Sequence, residues 1–113
     1  MRRLAALLLP ALLAGCGGQC GACGPSQAVV ENASSLAVEQ LYLAPAAGQG
    51  WGTDLLGQAP ALAAAGRMPL ALDGPGPWRL RLVWVNGQAI ELRGIDGCTT
   101  RRITIRDGMA VAD

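Results

Sequence analysis

Residues 78–93 read WRLRLVWVNGQAIELR, two runs in which apolar and polar side chains alternate, joined by Asn86-Gly87. A period of two is what a strand needs when it buries one face and wets the other. Asn-Gly supplies cheaply the positive φ that a type I′ turn requires at both central positions, so the stretch predicts a tight two-residue β-hairpin. Trp78, Leu80, Leu82 and Trp84 share one face, which the alternation gives to the core. Arg79 and Arg81 share the other, with Val83 and Val85 extending it as a partly apolar second face.

Outward from the hairpin the same period recurs. Residues 102–106 alternate with Ile103 and Ile105 inward, and Asp107-Gly108 closes the run. Residues 68–72 form a further strand candidate, which Pro69 confines to an edge or a strand start because it has no N–H to donate. Residues 28–31 lead through Asn32-Ala33-Ser34-Ser35, a turn by composition, into 36–43. There the apolar positions switch phase from 36 and 38 to 41 and 43, which predicts a bulge. Tyr42 is expected to plug the core with its hydroxyl at the rim. Residues 44–66 are mostly Ala, Gly, Pro and Gln, with one island at 51–57, WGTDLLG. Six to seven short strands punctuated by Gly and Pro predict an all-β fold, a small antiparallel β-sandwich, Ig-like or related.

The chain of 113 residues contains no histidine, three tryptophans and one tyrosine. Ser-His-Asp and Cys-His catalysis, imidazole metal sites and c-type haem attachment all need the missing residue. Carboxylate pairs remain chemically available, from Glu31, Glu39, Asp54, Asp73, Glu91, Asp96, Asp107 and Asp113, but no motif places them. No catalytic residue, metal site or cofactor is therefore expected. Without Arg2 and Arg3 the chain carries seven arginines against eight acids, in no run of one sign, so nucleic acid is not an expected partner.

The amino terminus is a different kind of text. Arg2 and Arg3 precede an uncharged apolar stretch, residues 4–13, which contains Pro10 and is shorter than the roughly 20 residues a membrane-spanning helix needs. It reads as an export signal. Leu13-Ala14-Gly15-Cys16 then resembles the lipobox of bacterial lipoproteins: an apolar residue, two small residues and a cysteine. The resemblance implies cleavage before Cys16 and attachment of a diacylglycerol to its sulfur, a membrane partner through more than one acyl chain. Gly17, where inner-membrane retention uses Asp, implies the outer membrane, facing the periplasm. The expected organisation is a signal peptide at 1–15, a flexible Gly-rich tether at 16–26 and a sandwich domain at 27–113. In that setting the Asn32-Ala33-Ser34 glycosylation triplet carries no meaning.

With Cys16 lipidated, Cys20, Cys23 and Cys98 enter an oxidising compartment and one is left over. A bridge from Cys20 or Cys23 to Cys98, a local Cys20–Cys23 bridge, and mixed or free thiols are all open. A redox role for Cys20-Gly21-Ala22-Cys23 would need a helix amino terminus to lower a thiol pKa, and none is expected to follow.

Asn32 with Ser34, Leu41-Tyr42, Trp51-Gly52-x-Asp54-Leu55-Leu56, Leu80-Arg81-x-Val83-Trp84 and Ile95-Asp96-x-Cys98 occur in this order. Together they resemble a family of small exported bacterial β-domains, many without assigned function, over residues 30–106. Members usually carry a second cysteine shortly before the Leu-Arg-x-Val strand, bridging to the one that matches Cys98. Here that stretch is Asp73-Gly74-Pro75-Gly76-Pro77-Trp78, so the in-domain bridge is absent or replaced.

Functionally, these readings combine into a lipid-anchored, non-catalytic structural or interaction module of the cell envelope. A glycan- or peptide-binding module is the alternative, with Trp51 stacking on a ring or a partner and Asp54 orienting a polar ligand. Against it stands a purely structural use, Trp51 capping the core and Asp54 accepting backbone hydrogen bonds. The third reading is thiol redox chemistry at Cys20 and Cys23.

Overall fold

The computed structural model describes residues 23–113. Seven strands and no helix run through them: β1 (Pro25–Asn32), β2 (Val38–Pro45), β3 (Arg67–Asp73), β4 (Trp78–Trp84), β5 (Ala89–Ile95), β6 (Arg102–Arg106) and β7 (Met109–Ala112). One sheet has the order β3-β1-β6-β7 and the other β2-β4-β5. Alternation decides what lies between them. Ala28, Val30, Leu70, Leu72, Ile103 and Ile105 come inward from the first sheet, and Val38, Leu41, Leu80, Leu82, Trp84 and Ile95 from the second. The fold is the expected β-sandwich, with Pro69 on the edge strand β3.

The pairing differs from a wholly antiparallel plan in one place. β1 and β6 run parallel, from Val29 opposite Arg102 to Asn32 opposite Ile105, while every other pair is antiparallel. No hairpin joins these two strands, so no tight turn dictates their relative direction. β1 also starts at Pro25, opposite Asp73, so the last residues assigned to the tether belong to the sheet. At the other terminus Asp107-Gly108 makes a two-residue turn into β7, a strand the sequence reading did not extend to.

The bulge expected in β2 lies between Val38 and Gln40, and it lets Val38 and Leu41, three positions apart, both reach the core. β5 has a second one: Trp78 and Leu80 face Ile95 and Leu92, and Gly94 takes up the extra residue at φ +71°. The β4–β5 turn is not type I′. Asn86 keeps a negative φ, and only Gly87 is in the left-handed region, at +89°. Gly87 N–H donates to Trp84 O (2.8 Å) and Trp84 N–H to Gln88 O (2.8 Å), a three-residue loop with its bulge at glycine. Asn86 contributes through its side chain instead, accepting from Gln88 N–H at 3.0 Å.

The long β2–β3 connection is less empty than its composition suggests. Leu56 and Leu62 drop from it into the core. Leu62 exchanges both backbone hydrogen bonds with Val38, and Leu55 N–H donates to Leu41 O. The outer edge of β2 is thereby covered rather than left as an open template for another strand.

Candidate functional site

Cys23 is bonded to Cys98, 75 residues along the chain, with a Cα separation of 5.6 Å. This settles the pairing of Cys23 and removes the local Cys20–Cys23 bridge, because that sulfur is already committed. Cys16 and Cys20 lie outside the described residues. The loop carrying Cys98 is positioned by close backbone approach. Gly97 N–H donates to Pro75 O (2.8 Å), and Ser26 Oγ donates to Gly97 O (2.8 Å). A Cβ at Gly97 would collide with the Gly74 carbonyl oxygen and press on Trp78 Nε1, which itself donates to Gly74 O at 3.1 Å. Asp96 Oδ1 then accepts from Cys98 N–H (2.7 Å). The 73–78 stretch, which lacks a cysteine, thus supports the Cys98 loop by packing, and the sulfur comes from the amino terminus. Trp78, expected in the core, is half-buried at this end because its ring leans on the loop.

The second candidate is the Trp51 island, which lies on the outer face of the three-stranded sheet and does not cap the core. Arg79 is the residue that holds it. The alternation put Arg79 in water, yet only 8% of it is exposed. Its Nε donates to Pro45 O (3.1 Å), and its Nη2 to Gly48 O (3.1 Å) and Gly50 O (2.6 Å). Its guanidinium carbon lies 4.1 Å from the centroid of the Trp51 ring. Burying a cation is costly unless its N–H groups are satisfied, and here carbonyl oxygens and the negative face of the indole do so. Tyr42, expected in the core, is on this outer face too, 6.5 Å from Trp51, with its hydroxyl donating to Gln40 Oε1 (2.8 Å). Because β2 shifts phase at its bulge, Leu41 and Leu43 go inward and Tyr42 outward.

Asp54 has the structural use. Its Oδ1 accepts from Leu41 N–H (2.9 Å) and Leu56 N–H (3.0 Å), tying the island to β2 and setting Leu56 into the core. Trp51 and Asp54 therefore belong to one loop, but both are engaged by the protein itself. Sequence reasoning missed Arg79. The only available signal was a long Gly-rich connection that had to lie over some part of a sheet.

At the opposite end, Asn32 is completely buried and completely satisfied. Its Nδ2 donates to Leu36 O and Leu62 O, both at 2.9 Å, and its Oδ1 accepts from Ser34 N–H (3.0 Å) and Ser34 Oγ (2.6 Å). Trp84 Nε1 donates to Ser34 Oγ at 3.0 Å, extending the network into the core. A glycan on Nδ2 is incompatible with this arrangement. Beside it a shallow groove of about 490 Å³ is lined by Glu31, Asn32, Ser34, Ala64, Ala65 and Arg67. Its rim carries the exposed Glu31–Arg67 ion pair (2.9 Å). Ala65 stands at φ +70°, held there as its N–H donates to Asn32 O at 2.7 Å. Nearby, Asp107 Oδ1 accepts from Ser35 N–H (2.7 Å) and Ser35 Oγ (2.9 Å). These bonds, the backbone one first, hold the Asp107 carboxyl below its ordinary pKa.

Among the described residues no three His, Cys, Asp or Glu side chains converge as a metal site. Comparison with known proteins returns no match to a family model, a curated protein or a solved structure.

Proposed function

We propose that this protein is a lipid-anchored component of the bacterial cell envelope, held at a membrane through Cys16 and acting as a non-catalytic structural or interaction module. The observation that carries the reading is Leu13-Ala14-Gly15-Cys16 behind a charged head and a short apolar stretch. The Cys23–Cys98 bridge supports it, because such bonds persist in exported proteins and are rare in a reducing cytosol. Gly17 favours the outer membrane, with the domain facing the periplasm and an envelope protein as the partner class. The geometry lends little to a glycan or peptide site at Trp51, since Arg79 covers a face of the ring that a ligand would need.

The reading is tested by growing the bacterium with a labelled fatty acid and fractionating its envelope. The wild-type protein is expected to carry label and to partition with membranes, and Cys16→Ala to lose both properties. An unlabelled wild-type protein with a bare Cys16 thiol, washing out in buffer, overturns it.

A further inference from the structure

Among the described residues four strands border the two sheets, and three of those edges are guarded. The 54–62 connection covers β2. β3 carries Pro69 in its middle. Val29, opposite it, spends its N–H on Arg101 O, so the proline nitrogen faces the open side with nothing to donate. β7 is only four residues long. β5 is the exception, seven residues paired to β4 alone. Its backbone groups alternate in direction. Trp84 N–H donates to Gln88 O, and antiparallel pairs are bonded at every second position, so Ile90 and Leu92 turn their N–H and C=O to β4 while Ala89 and Glu91 turn theirs to the open side. Such a row is a template for a further strand.

We propose that β5 is the seam of a symmetric homodimer, in which it pairs antiparallel with β5 of a second copy about a two-fold axis at Leu92. Charge selects both the occupant and the register. Glu91 and Arg93 lie on one face of β5, 3.1 Å apart and reaching solvent. With the axis at Leu92, Glu91 of each copy stands opposite Arg93 of the other, so one strand carries both halves of its own complement. An axis at Glu91 sets two carboxylates against each other, and an axis at Ile90 sets Glu91 against Ala89 and pairs neither charge.

The neighbours on β4 agree with this register. Arg81 is the cross-strand partner of Glu91, so the outer face reads Arg81, Glu91, then Arg93 of the second copy, alternating in sign across the seam. On the inner face Leu92, half-buried beside Ile90 at the rim of the core, meets Leu92 of the second copy. The two three-stranded sheets become one of six strands. The bulge at Gly94 bends β5 just beyond Arg93 and confines the ladder to the pairs around the axis, so the dimer is weak and depends on concentration. The pairing concerns the domain alone and does not depend on the lipid anchor.

The test uses the full chain in detergent, with micelles in excess over protein, and reads its mass by sedimentation equilibrium over a concentration series. The wild-type protein is expected to pass from monomer to dimer. Glu91→Arg and Arg93→Glu, each alone, set like charges across the seam and are expected to weaken dimerisation at least about tenfold. An equimolar mixture of the two variants sets opposite charges at both positions and is expected to regain the dimer. The double variant Glu91→Arg/Arg93→Glu keeps the pair within the strand and is expected to dimerise unaided. Amide exchange at Glu91 should slow with concentration in the wild type and in neither single variant. A wild-type chain that is monomeric at every concentration overturns the proposal, and so does a dimer that the single reversals leave intact or that mixing fails to restore. Slow exchange at Glu91 in a monomer bound to a different protein overturns it as well, since the occupant is then not a second copy.

Discussion

At the end where β1 begins, a disulfide and the close approach of Gly97 to Gly74 hold the loop before β6 against the sandwich. At the end where β1 finishes, the β1–β2 and β2–β3 connections are held by the Asn32–Ser34–Trp84 network, with Asp107 reaching Ser35 from the β6–β7 turn. The first device acts largely on the unfolded chain, by removing conformations it would otherwise have. The second acts only on the folded one, because its hydrogen bonds satisfy groups that folding has buried. The same small core is therefore closed by one constraint that outlasts unfolding and one that vanishes with it.

The largest expected effect is loss of the covalent constraint. The double variant Cys23→Ser/Cys98→Ser is expected to lower stability by about 4 kcal/mol, the loop-closure value for a bridge of this span. Urea unfolding checks it, and reducing the wild-type protein should reproduce the variant's midpoint. A much smaller loss would mean that the packing around Gly97 holds this end unaided. Next comes Asn32→Ala, expected to cost about 3 kcal/mol because the Leu36 and Leu62 carbonyls lose their donor in a buried site. Thermal unfolding measures it. Fluorescence should also change as Ser34, and through it the Trp84 indole, is released.

The smallest effect is a pH dependence at the network end. Asp107 has a depressed pKa in the folded domain, so its contribution is present above the unfolded value and disappears as pH falls through the folded one. Asp107→Asn is expected to remove that part of the acid dependence and to leave neutral-pH stability little changed, since the group is on the surface. Unfolding midpoints of both proteins across the acid range check it.

What could be read in the sequence was whatever a period of two controls. The inward face of β4, Ile103 and Ile105 in β6, the edge position of β3 and the bulge in β2 all follow from alternation and proline chemistry. The turn at Asn86-Gly87 was placed correctly but given the wrong class, because a dipeptide that tolerates positive φ at both positions does not have to use it at both. Arg79 and Tyr42 were misplaced for different reasons: with Leu41 and Leu43 inward the phase of β2 turns Tyr42 outward, whereas Arg79 keeps its expected face and is covered there. Alternation says which side of a sheet a residue faces, but not whether a distant loop will fold over that side. Of the candidate ligand residues, Asp54 was legible as a structural acceptor, whereas the stacking of Trp51 depends on Arg79, a partner 28 positions away in the chain. Likewise, Cys98 could be paired only once the packing of Gly97 on Gly74 was visible.

The parallel seam between β1 and β6 has a bearing on how the chain folds. β1 is an interior strand, yet one of its two neighbours comes from the last dozen residues. The sheet therefore cannot be completed until β6 is brought back to β1 from across the whole of β2 to β5. Pairing across so many residues is slow compared with hairpin closure, so the local β4–β5 and β6–β7 pairs are expected to form before the seam that joins β6 to β1.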